Sequence, residues 1–131
     1  MKLIAHLAAA LLALCIPLAL ASPPSAAPKI TGTYSTLAYH AEGGDVLGIE
    51  LSIVYTQRGY YVIYQSSEGE HIVPVVVPAQ IKGTRLAFTL PNEADPRGSF
   101  HGRIERDAIR GNFSGNRQTV TLPRKSSYWN P

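Results

Sequence analysis

Between Val46 and Gln57 apolar and polar residues alternate over the length of a strand. Leu47, Ile49, Leu51, Ile53 and Tyr55 fall on one side, and Glu50, Ser52 and Thr56 on the other. Successive side chains point to opposite faces only in extended backbone, so the run reads as a β-strand with one face buried. Turn residues bound it, Glu42-Gly43-Gly44-Asp45 before and Arg58-Gly59 after. Short alternating runs separated by turn residues continue to the C-terminus. No stretch beyond Lys29 carries the period of an amphipathic helix.

Gly32 to His40 reads as the first strand, and Tyr60 to Ser66 as the partner of the alternating run. Ser67-Glu68-Gly69-Glu70 is a turn. His71 to Ile81 is apolar but contains Pro74 and Pro78, which cannot donate to a ladder, so it is expected at an edge or at a bulge. In Arg85 to Leu90 the alternating residues are Leu86, Phe88 and Leu90, and Pro91 to Arg97 is the longest polar loop. Two segments, Gly98-Ser99-Phe100-His101-Gly102 and Gly111-Asn112-Phe113-Ser114-Gly115, share the pattern Gly-x-Phe-x-Gly, with Arg106-Asp107 as a hairpin turn between them. Gly102 shares a side with Phe100 and Ile104, and Gly111 with Phe113 and Ile109, leaving space beside inward rings. Thr119 to Leu122 is the last strand, before a tail ending Ser127-Tyr128-Trp129-Asn130-Pro131. Seven or eight short strands with short connections predict an all-β domain, a single small antiparallel up-and-down β-barrel.

The N-terminus predicts an address. Met1-Lys2, an apolar run from Leu3 to Leu20 broken by Pro17, and Ala19-Leu20-Ala21 before Ser22 have the layout of a cleavable secretory signal peptide. A membrane anchor is the rival reading of that run, and Cys15 raises a lipoprotein site, although Leu14 stands where such sites have a small residue. The expected organisation is therefore a signal peptide over 1–21, a Pro/Ala-rich disordered leader over 22–29 and the β-domain over 30–131. Cys15 is the only cysteine, so the mature chain would hold no disulfide and no cysteine nucleophile or metal ligand. A periplasmic or secreted protein, bacterial rather than eukaryotic, is the expected setting.

Charge is unevenly spread. From Ser22 to Gln80, Lys29 and Arg58 stand against Glu42, Asp45, Glu50, Glu68 and Glu70, whereas from Ile81 onward nine basic residues face Glu93, Asp95, Glu105 and Asp107. A basic second half suits an acidic partner, a lipid head group or a cell-wall polymer. The plainer reading is arginines on the solvent-facing sides of strands.

Local catalytic patterns are absent. No Gly-x-Ser-x-Gly elbow occurs, and His40, His71 and His101 carry no adjacent set that marks a triad. His40, Glu42 and Asp45 could converge on a cation near the first turn, but a polar hairpin tip is the favoured account of them. Glu50 is the one acid inside a strongly alternating strand, and Gly43-Gly44 lacks the Lys-Ser/Thr of a phosphate loop. Phe100 and Phe113 read as core rather than as a nucleic-acid stacking platform. No catalytic residue, no metal and no cofactor is expected.

Seven tyrosines are many for a chain of this size; several suit the wall of a cavity, while the plainer reading is that tyrosine is a good strand residue that tolerates an exposed face. Tyr34, Tyr55, Tyr64 and Phe88 are the candidates for a small amphipathic ligand. Arg97 and Arg103 are the candidates for contact with an exported protein such as a secreted hydrolase. The expected function is a non-catalytic exported binding protein, with protein inhibition as the alternative and an enzyme last.

Gly32-Thr33-Tyr34 opens the first strand and Arg124 follows the last one. That pairing resembles calycin-type barrels, the lipocalin and avidin families, in which Gly-x-Trp opens the barrel and a late basic side chain packs over the ring. Tyrosine stands here in place of that tryptophan, and Trp129 lies at the far end. The resemblance implies a barrel and names no ligand. The Ser127-Tyr128-Trp129 ending is also similar to that of uncharacterised small exported bacterial proteins, which implies no function.

Overall fold

The computed structural model describes residues 24–130, and the expected signal peptide and its cleavage site lie outside them. Residues 24–30 carry no regular secondary structure. The described chain is all-β. In the first sheet, β1 (Gly32–Ser35) and β2 (Ala38–His40) both pair with β3 (Asp45–Thr56), which pairs with β4 (Gly59–Glu68), which pairs with β5 (Val75–Pro78). The second sheet runs β6 (Gln80–Lys82), β7 (Arg85–Thr89), β8 (Ser99–Ile104), β9 (Ala108–Phe113) and β10 (Asn116–Pro123), each paired with the next. All pairings are antiparallel.

The alternating run forms β3 and pairs with β4 from Leu47↔Glu68 to Thr56↔Gly59. Its apolar side is buried at Ile49, Leu51 and Ile53, while Leu47 and Tyr55 reach solvent at the two ends. The strand expected over 32–40 is split. Thr36 and Leu37 leave the ladder, Leu37 turns into the interior, and the Ser35 hydroxyl accepts its amide at 3.1 Å. Gly48 makes the break possible: it sits at φ +125°, and a Cβ there would lie 2.6 Å from the Thr36 carbonyl oxygen.

The closed up-and-down barrel expected from the sequence is not found; two sheets stand in its place. At one seam the chain passes from β5 to β6 through Ala79 alone, whose amide donates to Tyr60 O at 2.9 Å. Pro78 ends β5 just before that passage and Pro74 stands just before β5; neither has an amide hydrogen to donate to a ladder. The proline-bearing segment thus forms an edge of each sheet, as its composition predicts. At the other seam the sheets meet by one isolated bridge, Tyr34↔Arg124, with the Lys125 amide donating to Thr33 O at 3.1 Å. The strand count exceeds the expected seven or eight because both long segments are interrupted.

Between the sheets the core is aromatic at its centre. Phe88, Phe100 and Phe113 are cross-strand partners on β7, β8 and β9. Phe88 and Phe100 stack at 5.1 Å, Phe100 meets Phe113 at 5.0 Å, and Tyr64 approaches Phe113 edge-on from the first sheet. Burying each ring contributes roughly 1.5–3 kcal/mol. Gly102 and Gly111 are also cross-strand partners. A Cβ on Gly111 would lie 2.5 Å from Phe100 Cζ and 2.4 Å from His101 O, so the bare backbone is the seat of the Phe100 ring. Gly111→Ala is expected to cost about 1–3 kcal/mol, because neither the ring nor the carbonyl has room to move. Chemical denaturation reads this directly, and an unchanged midpoint would mean that the ring does not need the glycine.

Candidate functional site

Tyr34 and Tyr64 flank Leu51 in register on β1, β3 and β4, and both rings point inward. The Tyr34 hydroxyl lies 3.3 Å from Ile30 O, and Arg124 lies over its ring at 4.5 Å. Phe88 is in the aromatic stack. Tyr55 is 67% exposed at the end of β3, where its ring meets Tyr60 at 4.8 Å. The structure therefore brings three of the four candidate lining residues into one packed core and leaves Tyr55 apart from them.

A polar cluster closes one end of that core. Tyr64 donates to Asp95 Oδ2 at 2.5 Å, and the Ser66 hydroxyl donates to the same oxygen at 3.1 Å. Asp95 Oδ1 accepts the Arg97 amide at 2.9 Å, the local turn that an aspartate two residues before an amide makes. Arg97 Nη1 reaches Asp95 Oδ2 at 3.0 Å and Tyr64 Oη at 2.9 Å, while Nη2 pairs with Glu68. Asp95, 5% exposed, thus pins the β7–β8 loop onto β4. The Arg97 side chain is engaged within this cluster. Asp95 and Ser66 were not singled out from the sequence; the Asp95-Pro96-Arg97 turn is the signal that points to the first of them.

The second sheet presents a different surface. Register places Lys82 opposite Arg85, Arg85 opposite Arg103, and Arg103 opposite Arg110. Four cations therefore lie in one row across β6 to β9, all exposed. Like charges directly opposite on a sheet are destabilising, by up to about 1 kcal/mol per pair, and here three such pairs run in succession. Among the described residues Arg110 alone in the row pairs with a carboxylate, Glu105 at 3.1 Å. The next outward row is Gln80, Ala87, His101 and Asn112, with no Lys, Arg, Asp or Glu in it. Between the rows lies an open groove of about 310 Å³, lined by Gln80, Lys82, Arg85, Ala87 and His101 among others.

The remaining candidates do not form a reaction centre. His71 Nδ1 lies 2.8 Å from Ser67 Oγ, but Ser67 is buried and its hydroxyl donates to Val46 O at 2.5 Å. The pair pins a turn, and the His71 ring packs edge-on against Trp129 at 4.8 Å. Glu50, on the outward side of β3, is covered by the returning tail: Ser127 Oγ donates to it at 2.6 Å and the Tyr128 amide at 2.9 Å. No group of three or more His, Cys, Asp or Glu side chains among the described residues is placed to hold a metal.

No protein-family model matches the chain, and no curated protein and no solved structure matches it. The functional reading therefore rests on its own residues.

The Tyr64 phenol is pushed up to about 12, first by burial and then by its bond to the Asp95 carboxylate. An unfolded tyrosine ionises near 10, so between those values the unfolded chain binds fewer protons than the native one. Stability from this group is fully present below pH 10 and is expected to fall by about 2–3 kcal/mol as pH rises to 12. Denaturation midpoints at pH 9 and pH 12 should converge in Tyr64→Phe relative to wild type. Identical alkaline losses in the two proteins would refute this role for Tyr64.

Proposed function

We propose that the protein is an exported, non-catalytic binding module that engages its partner through the outward face of the second sheet. The observation that carries this reading is the row Lys82, Arg85, Arg103 and Arg110, three like-charge pairs that the fold itself does not need. Cations so spaced attract an acidic partner and raise its encounter rate. The packing of Tyr34, Tyr64 and Phe88 against the protein's own groups favours a surface over an interior site. Arg103, a candidate for partner contact, stands in the middle of the row; Arg97 serves the Asp95 cluster.

A second reading is favoured by one contact. Arg124 lies over the Tyr34 ring, the arrangement that calycin-type barrels make between a late basic side chain and their opening aromatic. On that reading the protein carries a small amphipathic ligand.

Two measurements separate these readings. The salt concentration that elutes the protein from a polyanionic resin should fall in Arg85→Gln/Arg103→Gln and much less in Lys29→Gln/Arg58→Gln, which removes the same charge outside the second sheet. Equal falls would mean that net charge, not this face, governs binding. Native mass spectrometry of the protein released gently from expressing cells should show the bare chain; a reproducible small adduct would favour the carrier.

A further inference from the structure

We infer that the outward face of the second sheet is a binding track for a linear acidic polysaccharide, a sugar polymer bearing carboxylate or sulfate groups along its length. This deepens the surface-binding reading above and rests on it.

Neighbouring strands lie about 4.8 Å apart, so the row from Lys82 to Arg110 presents a positive charge at that interval across four strands. A partner that crosses the strands meets the cations in single file, which suits a chain with regularly repeated anions better than one compact anion. Three of the four are arginines, whose planar forks match carboxylate and sulfate oxygens in pairs. Beside them run Gln80 and His101, side chains that donate to and accept from hydroxyl groups, and then Asn112, whose Nδ2 donates to Arg117 O at 3.0 Å and which offers its oxygen. Ala87 leaves the strip between Gln80 and His101 low, and the groove of about 310 Å³ lies there. One polymer that carries both anions and hydroxyls along its length uses both rows.

Other polyanions use this surface less well. Apart from the His101 imidazole, no outward position of β6 to β9 holds an aromatic residue, so successive nucleic-acid bases have no series of rings to stack on. The exposed large apolar residues, Tyr39, Leu47, Tyr55, Ile63, Val73, Val76 and Trp129, all lie outside β6 to β10, so this face offers nothing to insert into a lipid surface.

Titration calorimetry with an oligouronate, a sulfated oligosaccharide, a neutral dextran oligomer, a single-stranded oligonucleotide and anionic vesicles tests the inference on the whole protein. Saturable binding of the oligouronate or the sulfated sugar is expected, and the tighter of the two identifies the anion. The neutral oligomer should not bind. In Arg85→Gln/Arg103→Gln the affinity should drop about fivefold per cation removed, the worth of one Lys or Arg against an anionic surface. The Lys29→Gln/Arg58→Gln control should bind nearly as wild type. Tighter binding of the oligonucleotide or of vesicles would overturn the polysaccharide assignment, as would an equal loss in the control pair. If neither sugar binds while resin elution still depends on Arg85 and Arg103, the polysaccharide fails and the surface reading stands; if elution is also indifferent to them, both fail.

Discussion

One guanidinium holds the two ends of this fold together. Arg124 lies over the Tyr34 ring, donates to Thr31 O at 2.9 Å and to Arg106 O at 3.2 Å, and reaches Lys29 O and the Tyr34 hydroxyl with its remaining nitrogen. It thereby ties the segment entering β1, the β1 ring and the β8–β9 turn to the end of β10. Arginine suits the task because its planar fork offers five donors and a face that stacks. Gly32 completes the fit: it sits at φ +138°, and a Cβ there would meet Arg124 Nη1 at 2.6 Å. The only cysteine lies outside the described residues, so within them this seam depends on packing and hydrogen bonds alone. The Lys125 amide, donating to Thr33 O at 3.1 Å, adds a backbone bond beside it.

The filled core explains the charged exterior. Phe88, Phe100 and Phe113 take the inward positions of three neighbouring strands, with Gly102 and Gly111 making room for Phe100. Side chains in a strand alternate between faces, so every second residue on β7, β8 and β9 must face solvent. Those positions are where Arg85, Arg103 and Arg110 stand. The same parity that buries the rings aligns the cations. The other end of the core is sealed by Asp95, which takes bonds from Tyr64, Ser66 and Arg97 and leaves little of its carboxylate exposed. The inward hydroxyls of Tyr34 and Tyr64 are thus bonded within the protein itself, which is why the proposed recognition is placed on the outer surface.

Much of this was legible in the chain. Leu47 to Tyr55 announced β3 and its buried side, Pro74 and Pro78 announced the edge, and the two Gly-x-Phe-x-Gly segments announced a ring seated against glycine. All of these are local signals, set by backbone chemistry within a few residues. The failures are non-local. Nothing adjacent to Thr36 shows that the first strand breaks there, because the cause is the approach of its carbonyl to Gly48 from the next strand. Glu50 read as a solvent-facing acid because its cover, Ser127 and Tyr128, lies 77 and 78 residues away. The arginine row was visible only as scattered basic residues, since cross-strand register is fixed by the turns between β6 and β9 and not by any one strand. Closure of the barrel was inferred from short sequential connections and the lack of a helix to cover an open face, which carry no information about a proline-interrupted seam.

The central claim is that this protein recognises its partner with the outside of its second sheet. Amide chemical-shift mapping during titration with an oligouronate tests it residue by residue. The account predicts shifts concentrated at Lys82, Arg85, Ala87, His101, Arg103 and Arg110, with the amides of Tyr34, Leu51 and Tyr64 unmoved. Shifts centred on Tyr34, Tyr64 and Phe88, or spread evenly over all basic residues, would contradict it.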